Sequence, residues 1–364
     1  MKAHILMIAD TAPPLYGGAG AQASLLAERL RSSGYRVDIL ARQKHKVTEW
    51  PAGTTFARPF VRNPTLSTLF FCVSVAIRVL ASRASIVHVH GGYVFAFVAV
   101  MAARLRGKPS ILKVTLLGSD DPETIARARF LGLPVGRIQV RQFQTASIVI
   151  AVNEQVRTAI LRIVPQARVE VIVNGTEPVS AAVTPTSSPV VCYTGALSHR
   201  KGTDTLLKAW STVRNRLPAA TLRLVGPVHA DMVDAIDDAD ALGEMGVTVE
   251  GLVSPLESRA AISQAAVFVL PSRQEGQPNA LIEAMSAGLA CCASDIPVNV
   301  ATGGDAILTF PVGDPIELAK AIERAWNERT ELSARAREQA KLYDIARTSE
   351  LYRELYASLE GHLG

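Results

Sequence analysis

The feature that most constrains the fold is a regular alternation of short apolar runs with longer segments of helical periodicity. Parallel strands that are buried on both faces give apolar runs of this kind, and the helices between them cover the sheet. The predicted strands are Ile5–Ile8, Val37–Leu40, Ile86–His90, Ile111–Thr115 and Ile148–Val152 in the first half, and Val190–Thr194, Leu222–Val225, Val247–Glu250, Val267–Leu270, Leu289–Ala293 and Ala306–Phe310 in the second. The pattern predicts an α/β protein. Among the predicted helices are Leu66–Ser82, Glu123–Gln144 (interrupted by Gly132-Leu133-Pro134) and Ala230–Leu242.

Chain length and one aperiodic segment predict two domains. The 364 residues correspond to two domains at roughly 150 residues each. Residues 175–189 carry three prolines and many Ser, Thr and Ala residues without periodicity, which is typical of a linker. We therefore predict a Rossmann-like domain over residues 1–175, a linker over 176–189, a second Rossmann-like domain over 190–345 and a C-terminal helix over 346–364 that packs back on the first domain. Two doubly wound domains of this kind are expected to face each other across a cleft and to bind ligands beyond the carboxyl ends of their strands.

Cysteine usage and the N-terminal sequence favour a cytoplasmic protein. The four cysteines include no C-x-x-C spacing and no His cluster, so we expect neither a zinc site nor a disulfide framework. The N-terminus shows no signal-peptide pattern. The D-x-D sequence at residues 238–240 lies in a helical pattern, which indicates a solvated acidic face rather than a metal site.

Charge is distributed unevenly. Residues 1–175 contain 22 Lys and Arg against 9 Asp and Glu, whereas residues 176–364 contain 16 against 24. The apolar segment Leu66–Ala81 lies in the basic half, flanked by Arg58, Arg62, Arg78 and Arg83. This combination favours a helix at an anionic membrane surface. A helix simply buried against the sheet is the alternative, and the sparse aromatic residues argue against nucleic-acid binding.

The segment richest in chemistry follows the predicted strand Val267–Leu270. A polar loop leads into a helix, with Asn279 at the expected N-cap, and its amides form a potential anion site. Glu275 lies on the loop and Glu283 in the first turns of the helix. Carboxylates accept paired hydrogen bonds from neighbouring hydroxyls. The segment therefore predicts a site for a sugar nucleotide.

Glu275 and Glu283 reproduce an E-x7-E motif within S-x-x-E-G-x-P-x-x-x-I-E-A-M-x-x-G, and in this the chain resembles glycosyltransferase family 4. The resemblance extends over almost the whole chain and includes the Pro-Pro-x-x-Gly-Gly loop near the start. It implies the GT-B architecture, a retaining and metal-independent transfer, and a UDP- or GDP-sugar co-substrate without a further cofactor. By the same resemblance Glu275 contacts the donor sugar and Glu283 holds the ribose hydroxyls. The other implied donor-binding residues are Gly17, Gly18, Gly276, Gln277, Pro278, Asn279 and Ala280.

A second match is Gly195-Ala196-Leu197-Ser198-His199-Arg200-Lys201-Gly202, which is similar to the family's G-R-L-x-x-x-K-G loop. In the family the Arg and Lys neutralise the donor diphosphate. Lys201 matches that Lys, whereas Ala196 occupies the Arg position. We expect Arg200 to supply the missing charge.

Two further positions lie in the first half. Where many relatives have T-x-H-G, this chain has Leu117 in place of the His, and Asp120 follows shortly after it. Asp120 is expected either to bind substrate hydroxyls or to cap the next helix. His90 ends a segment that resembles the family's V-H-x-H-G and is the candidate on the acceptor side.

These observations predict a retaining glycosyltransferase whose acceptor is a lipid-linked or membrane-proximal glycan, as in surface polysaccharide synthesis, and whose location is cytoplasmic or peripheral at the inner membrane face. A soluble small-molecule acceptor is the first alternative. A sugar-nucleotide epimerase and a non-catalytic nucleotide-sugar-binding protein are further ones. A dehydrogenase is disfavoured because the dinucleotide fingerprint is missing.

Overall fold

The chain forms two compact units, one of Met1–Gly175 with Ile345–Gly364 and one of Thr176–Asp344. The computed structural model describes residues 2–13, 18–42, 53–57, 63–129, 132–178 and 188–361, without the side chain of Phe56. Most of the predicted linker, residues 179–187, lies outside that description. Each unit contains one parallel sheet with helices packed against it, which confirms the predicted α/β class.

The first unit is built on a seven-stranded parallel sheet over its described residues. Its strands are β1 (His4–Ala9), β2 (Arg36–Arg42), β3 (Thr54–Ala57), β4 (Ile86–His90), β5 (Ser110–Val114), β6 (Ile148–Ala151) and β7 (Val169–Val171). Their order is β3-β2-β1-β4-β5-β6-β7. In β1, Leu6 lies opposite Asp38 of β2 and Val87 of β4. The strand order changes direction at β1 and β4, the kind of position at which open α/β sheets bind ligands.

Helices cover both faces of this sheet. They are α1 (Gly18–Ser32), α2 (Pro64–Ala81), α3 (Val94–Leu105), α4 (Pro122–Ala126), α5 (Gly136–Gln139), α6 (Arg141–Thr145) and α7 (Glu154–Ile163). One buried cluster joins α2, α3 and α7 to the sheet through residues such as Phe71, Ala99 and Val156. A second cluster, on α1 and β1, includes Leu26 and Met7. Burial of these apolar side chains is the main force that holds the unit together.

Helix α2 begins where Asn63 accepts hydrogen bonds from the amides of Thr65 and Leu66, and Pro64 occupies the first helical position. Phe71, Val75 and Val79 are buried in the core of the unit, whereas Val73 and Ile77 are exposed, so the helix packs against the unit along one side and is not buried all round. By length and composition alone α2 could also cross a membrane, a property shared by core helices of soluble proteins.

The second unit is built on a six-stranded parallel sheet in its described part. The strands are β8 (Val190–Thr194), β9 (Thr221–Val225), β10 (Val247–Gly251), β11 (Val267–Leu270), β12 (Ala290–Ser294) and β13 (Ile307–Phe310). Their order is β10-β9-β8-β11-β12-β13. The helices are α8 (Thr203–Arg216), α9 (Val233–Ile236), α10 (Ala239–Glu244), α11 (Pro255–Ser263), α12 (Asn279–Ala287), α13 (Pro297–Gly303), α14 (Pro315–Asn327) and α15 (Arg329–Ala340). Strands β8 and β11 are neighbours, so the loops that follow them emerge at the same edge of the sheet.

The last helix, α16 (Ile345–Gly361), belongs to the first unit. Its side chains Tyr352, Leu355, Tyr356 and Leu359 are buried in the cluster on α1 and β1. Gly175 lies directly against this helix, because a Cβ there would be 2.5 Å from the Cα of Ile345. The helix therefore completes the core of the first unit.

The structure corrects several predicted elements. Strands β3 and β7 were not predicted, because they have four and three residues and no continuous apolar run. The predicted helix over Glu123–Gln144 is three short helices, since Gly132 has a positive φ of 79° that a helix cannot contain. The predicted helix over Ala230–Leu242 is a 3₁₀ turn followed by α9 and α10, with a new N-cap at Asp238.

Candidate active site

The strongest constellation in the second unit is an ion pair between the loops that follow β8 and β11. Lys201 Nζ lies 2.6 Å from Glu275 Oε1, although the two residues are 74 positions apart in the chain. The same carboxylate oxygen accepts a hydrogen bond of 2.7 Å from the Ser272 hydroxyl. The Glu275 side chain is 5% exposed and that of Lys201 is 18% exposed. The structure thus brings together two residues that the sequence predicts to share a site.

Local backbone geometry fixes the approach of these loops. Ser198 caps the short 3₁₀ turn His199–Lys201 by accepting from the Lys201 amide. Gly202 then adopts a left-handed conformation with φ of 72°, and a Cβ at this position would lie 1.9 Å from the carbonyl oxygen of Pro271. Only glycine permits this close approach of the two loops. Packing of the two loops therefore requires glycine at position 202, next to the charge that Lys201 supplies.

Arg200 lies at the same edge. Its guanidinium donates to the carbonyl of Gln274 at 3.1 Å, next to Glu275, and its side chain is exposed. Ala196 accepts a hydrogen bond from the Tyr193 hydroxyl at 2.7 Å through its carbonyl group. That Arg200 replaces the charge missing at Ala196 stays a prediction.

Helix α12 supplies the third part of the site. Pro278 is its N-cap and Asn279 its first residue, so the predicted cap at Asn279 is wrong by one position. The first-turn amides of Ala280 and Leu281 have no hydrogen-bond acceptor among the described residues. Such orphan amides and the positive end of the helix dipole favour a bound anion.

Glu283 is the fifth residue of α12, just over one turn after the helix begins at Asn279. Its side chain is half-buried, and its carboxylate makes no hydrogen bond to any residue that the structure describes. Desolvation raises the pKa of this carboxyl above its usual value, and the positive charge of Arg259 partly opposes the change. An acceptor group with unused lone pairs suits a ligand that offers hydroxyl donors.

An ion pair that the sequence did not predict stiffens these loops. Arg273 donates to both carboxylate oxygens of Asp204, at 2.7 and 2.9 Å, and to the Thr205 hydroxyl. Bidentate pairs of this type fix geometry more tightly than single contacts. Arg273 stands in the motif and Asp204 begins the next helix, but sequence alone gave no sign of their pairing.

In the first unit, Asp120 has a different environment from the one predicted. Its carboxylate is fully buried and accepts hydrogen bonds from the amides of Thr115, Leu116 and Gly92 and from the Thr115 hydroxyl. Desolvation raises its pKa to about 6, although these hydrogen bonds act in the opposite direction. Asp120 therefore orders the loop after β5, whereas the cap of α4 is Asp121. The predicted role as a helix cap is therefore wrong, and contact with substrate hydroxyls stays a prediction.

His90 is also buried and lies in a polar cluster inside the first unit. Its ring stacks on His88 with centroids 4.3 Å apart, and neither of its ring nitrogens has a partner in the described part of the chain. His88 Nδ1 lies 2.8 Å from the Tyr356 hydroxyl. Burial lowers the pKa of both imidazoles well below the usual value and that of the nearby Lys113 to about 7. Burial therefore disfavours positive charge on all three groups, and His90 is buried. Its place on the acceptor side stays a prediction.

The remaining predicted positions contribute less. Gly18 begins α1 and a Cβ there would meet open space, whereas Gly17 lies outside the described residues, as do Arg58 and Arg62. Leu117 packs against the first core cluster. Over the described residues no group of His, Cys, Asp and Glu side chains is arranged to hold a metal ion.

Family models match both units of the chain. The family model for "Glycosyl transferases group 1" matches residues 188–328, and the model for the "Glycosyl transferase 4-like domain" matches residues 17–175. The GDP-mannose:cellobiosyl-diphosphopolyprenol alpha-mannosyltransferase of Xanthomonas campestris is 29% identical over 220 residues, which cover 59% of this chain and 57% of that protein. The match thus spans little more than half of the length of that relative.

Two longer matches cover nearly the whole chain. The alpha-maltose-1-phosphate synthase of Mycolicibacterium smegmatis is 28% identical, with 92% of this chain and 91% of that protein covered. The crystal structure of Anabaena HepE with UDP and glucose superposes with a TM-score of 0.76 at 17% identity, covering 98% of this chain and 100% of that one. This likeness shows that the fold is GT-B. With a family model matching each of its units, the chain belongs to the family 4 glycosyltransferases.

Proposed function

We propose that the protein transfers a sugar from a nucleotide-sugar donor to an acceptor hydroxyl, with retention of configuration at the anomeric carbon and without a metal ion. The observation that carries this proposal is the Lys201–Glu275 pair beside the N-terminus of α12. A cation and orphan helix amides suit a diphosphate, and two carboxylates suit the hydroxyls at either end of it. A sugar nucleotide has this order of groups.

Each group then has a role in the transfer. Lys201, Arg200 and the α12 amides neutralise the diphosphate, Glu283 accepts from the ribose hydroxyls, and Glu275 accepts from the donor sugar. The acceptor oxygen forms the new bond to the anomeric carbon while the bond to the diphosphate oxygen breaks. The acceptor proton passes to that leaving oxygen. The protein's contribution is positioning and stabilisation of the negative charge that develops on the diphosphate.

The donor we propose is a UDP- or GDP-sugar, with no further cofactor. The HepE structure holds UDP and glucose, and the name of the Xanthomonas relative gives GDP-mannose. Both are nucleoside diphosphate compounds of the kind that the Lys201 site suits.

The acceptor we propose is a lipid-linked glycan at the inner face of the cell membrane, as in surface polysaccharide synthesis. The Xanthomonas relative is named for a diphosphopolyprenol-linked acceptor, and the basic first unit of this chain carries the exposed apolar side chains of α2. A soluble acceptor is the second candidate, because the relative matched over 92% of this chain is named for the synthesis of maltose 1-phosphate.

The test is release of nucleoside diphosphate from a panel of UDP- and GDP-sugars, with and without a membrane lipid extract and with and without chelator. Release that depends on the extract and ignores chelator supports the proposal, and the anomeric configuration of the product reports retention. Lys201→Met should abolish most turnover, whereas the control Lys208→Met, on the exposed face of α8, should not. Equal turnover in the two variants would refute the assignment of the site.

A further inference from the structure

Helix α2 carries two apolar faces, and only one of them is covered. At 100° per residue, the exposed side chains fall within a stripe roughly 100° wide. They are Leu66, Leu69, Phe70, Val73, Ile77 and Leu80, each at least 40% exposed. Phe71, Val75 and Val79 project from the opposite side and are buried. A surface helix of a globular domain normally presents polar residues to water, so this outer stripe requires an explanation.

The buried face anchors the helix on the first unit. Phe71 packs edge-on against Phe95 of α3 with ring centroids 5.1 Å apart, and Val75 and Val79 belong to the same core cluster. A helix held along one side in this way lies on the surface of its domain. Its outer stripe can enter the interfacial layer of a bilayer, but the helix cannot span the bilayer without leaving the core.

Basic residues meet the stripe at the C-terminal end of α2. Lys108 Nζ donates to the carbonyls of Ser82 and Val79 at 2.5 and 3.4 Å, which ties the loop after α3 to this end. That loop and the starts of β5 and β6 border a cavity of about 500 Å³, lined by Arg104, Lys108 and Arg168 and by no acidic side chain.

Basic residues outnumber acidic ones around the stripe, where Asp38 of β2 pairs with Arg78 of α2. Between Glu49 and Asp120 the sequence contains no Asp or Glu but eight Lys and Arg residues. In the described part of the chain, neither Arg104 nor Arg168 pairs with a carboxylate. The cavity lies at the amino ends of the strands, away from the edge at which such sheets bind substrates. These cations are therefore available to lipid phosphates rather than required by the donor.

We infer that the outer stripe of α2 and this basic edge together form a docking surface for an anionic phospholipid bilayer. The stripe supplies the apolar contact in the interfacial layer, and the arginines and Lys108 contact lipid phosphates beside it. The inference deepens the membrane part of the proposed function and rests on it, because docking places the first unit where a lipid-linked acceptor lies.

Flotation of the full chain with phosphatidylcholine vesicles, with and without phosphatidylglycerol, tests this surface. Wild type should float with the anionic vesicles and lose binding as salt is raised. Val73→Glu/Ile77→Glu should lower the partition coefficient by at least about tenfold, and Arg104→Gln by about fivefold. Ile316→Glu is the matched control, since Ile316 is 59% exposed on α14 and Ile77 is 63% exposed on α2.

Two results would overturn the inference. One is equal flotation of the α2 variant, the control and wild type. The other is wild type that binds no vesicle while light scattering shows a dimer that Val73→Glu/Ile77→Glu dissociates, because a second copy would then cover the stripe. Titration with UDP and GDP is run on every variant. Retained nucleotide binding with lost flotation separates failure at the membrane from failure of the proposed transfer, and unchanged circular dichroism excludes misfolding.

Discussion

Replacing Lys201 by methionine is expected to destabilise the second unit, because it leaves the Glu275 carboxylate almost fully buried without its counter-charge. The two charges are 2.6 Å apart, which at an effective dielectric constant of about 20 corresponds to a gross attraction of about 6 kcal/mol. Desolvation of both groups offsets part of this. Removing one partner of a buried pair costs about 3 kcal/mol or more, whereas an exposed pair contributes less than about 1 kcal/mol. The exposures of 18% and 5% place this pair in the buried class.

A double-mutant cycle isolates the interaction. The free energy of unfolding of wild type, Lys201→Met, Glu275→Gln and the double variant is measured by urea denaturation followed by tryptophan fluorescence. All four proteins carry Trp50→Phe, so that Trp210, fully buried in the core of the second unit, and Trp326 make this signal report on that unit. Glu275→Gln keeps an acceptor for the Ser272 hydroxyl, so the double variant should recover most of the stability lost in Lys201→Met.

The coupling energy decides the outcome. A value of about 2 kcal/mol or more supports a buried, specific pair that holds Lys201 in place before substrate binds. A value below about 1 kcal/mol would refute the reasoning, because the pair would then behave as an exposed one.

Three further predictions concern single positions. Gly202→Ala should lower the free energy of unfolding by at least about 2 kcal/mol more than Gly313→Ala. Both residues have positive φ, but only Gly202 faces a backbone oxygen, that of Pro271. Equal losses for the two variants in urea denaturation would contradict this contact. Lys113, whose pKa falls from 10.5 to about 7 on folding, makes the protein more stable as pH rises through that interval, because the unfolded chain holds a proton that the folded one lacks. Relative to Lys113→Met, wild type should gain about 2 kcal/mol between pH 7 and 9 by urea denaturation and circular dichroism, and parallel pH profiles would show that Lys113 is not desolvated. Because desolvation raises the pKa of Glu283, acidification should weaken nucleotide affinity, measured by calorimetry, at a higher pH than an ordinary glutamate would, and Glu283→Gln should remove that dependence. A pH profile unchanged by Glu283→Gln would exclude Glu283 from the site.

The second unit was predictable because its site residues follow neighbouring strands. Strands β8 and β11 were predicted at their observed bounds, and the loops after them carry Lys201 and Glu275. Parallel neighbours bring such loops to one edge, so motif and topology lead to the same pair. The pairing of Arg273 with Asp204 was missed because it depends on side-chain directions that a loop sequence does not encode.

The first unit was less predictable because its polar residues are buried by distant parts of the chain. His88 meets Tyr356, 268 residues further on, and no local pattern indicates that contact. Asp120 is enclosed by the backbone of its own loop and of Gly92 rather than exposed. Polar residues within apolar strands, Lys113 and the two histidines His88 and His90, were the local signs of a buried polar cluster.

Periodicity also could not decide which face of α2 is covered. Its apolar residues occur nearly all round, which suits burial and a membrane surface equally. The structure separates the buried side, at Phe71, Val75 and Val79, from the exposed stripe that includes Ile77. Tertiary packing, not local sequence, makes that distinction.

The central claim is that the Lys201–Glu275 site in the second unit binds the diphosphate of a sugar nucleotide. Calorimetric titration of wild type, Lys201→Met and Lys208→Met with UDP and with GDP tests it most directly. The account predicts that wild type and Lys208→Met bind one of the two nucleotides alike, and that Lys201→Met binds it about ten- to hundredfold more weakly, the loss expected for one charge-assisted contact. Equal affinity in Lys201→Met, or no binding of either nucleotide to wild type, would contradict it.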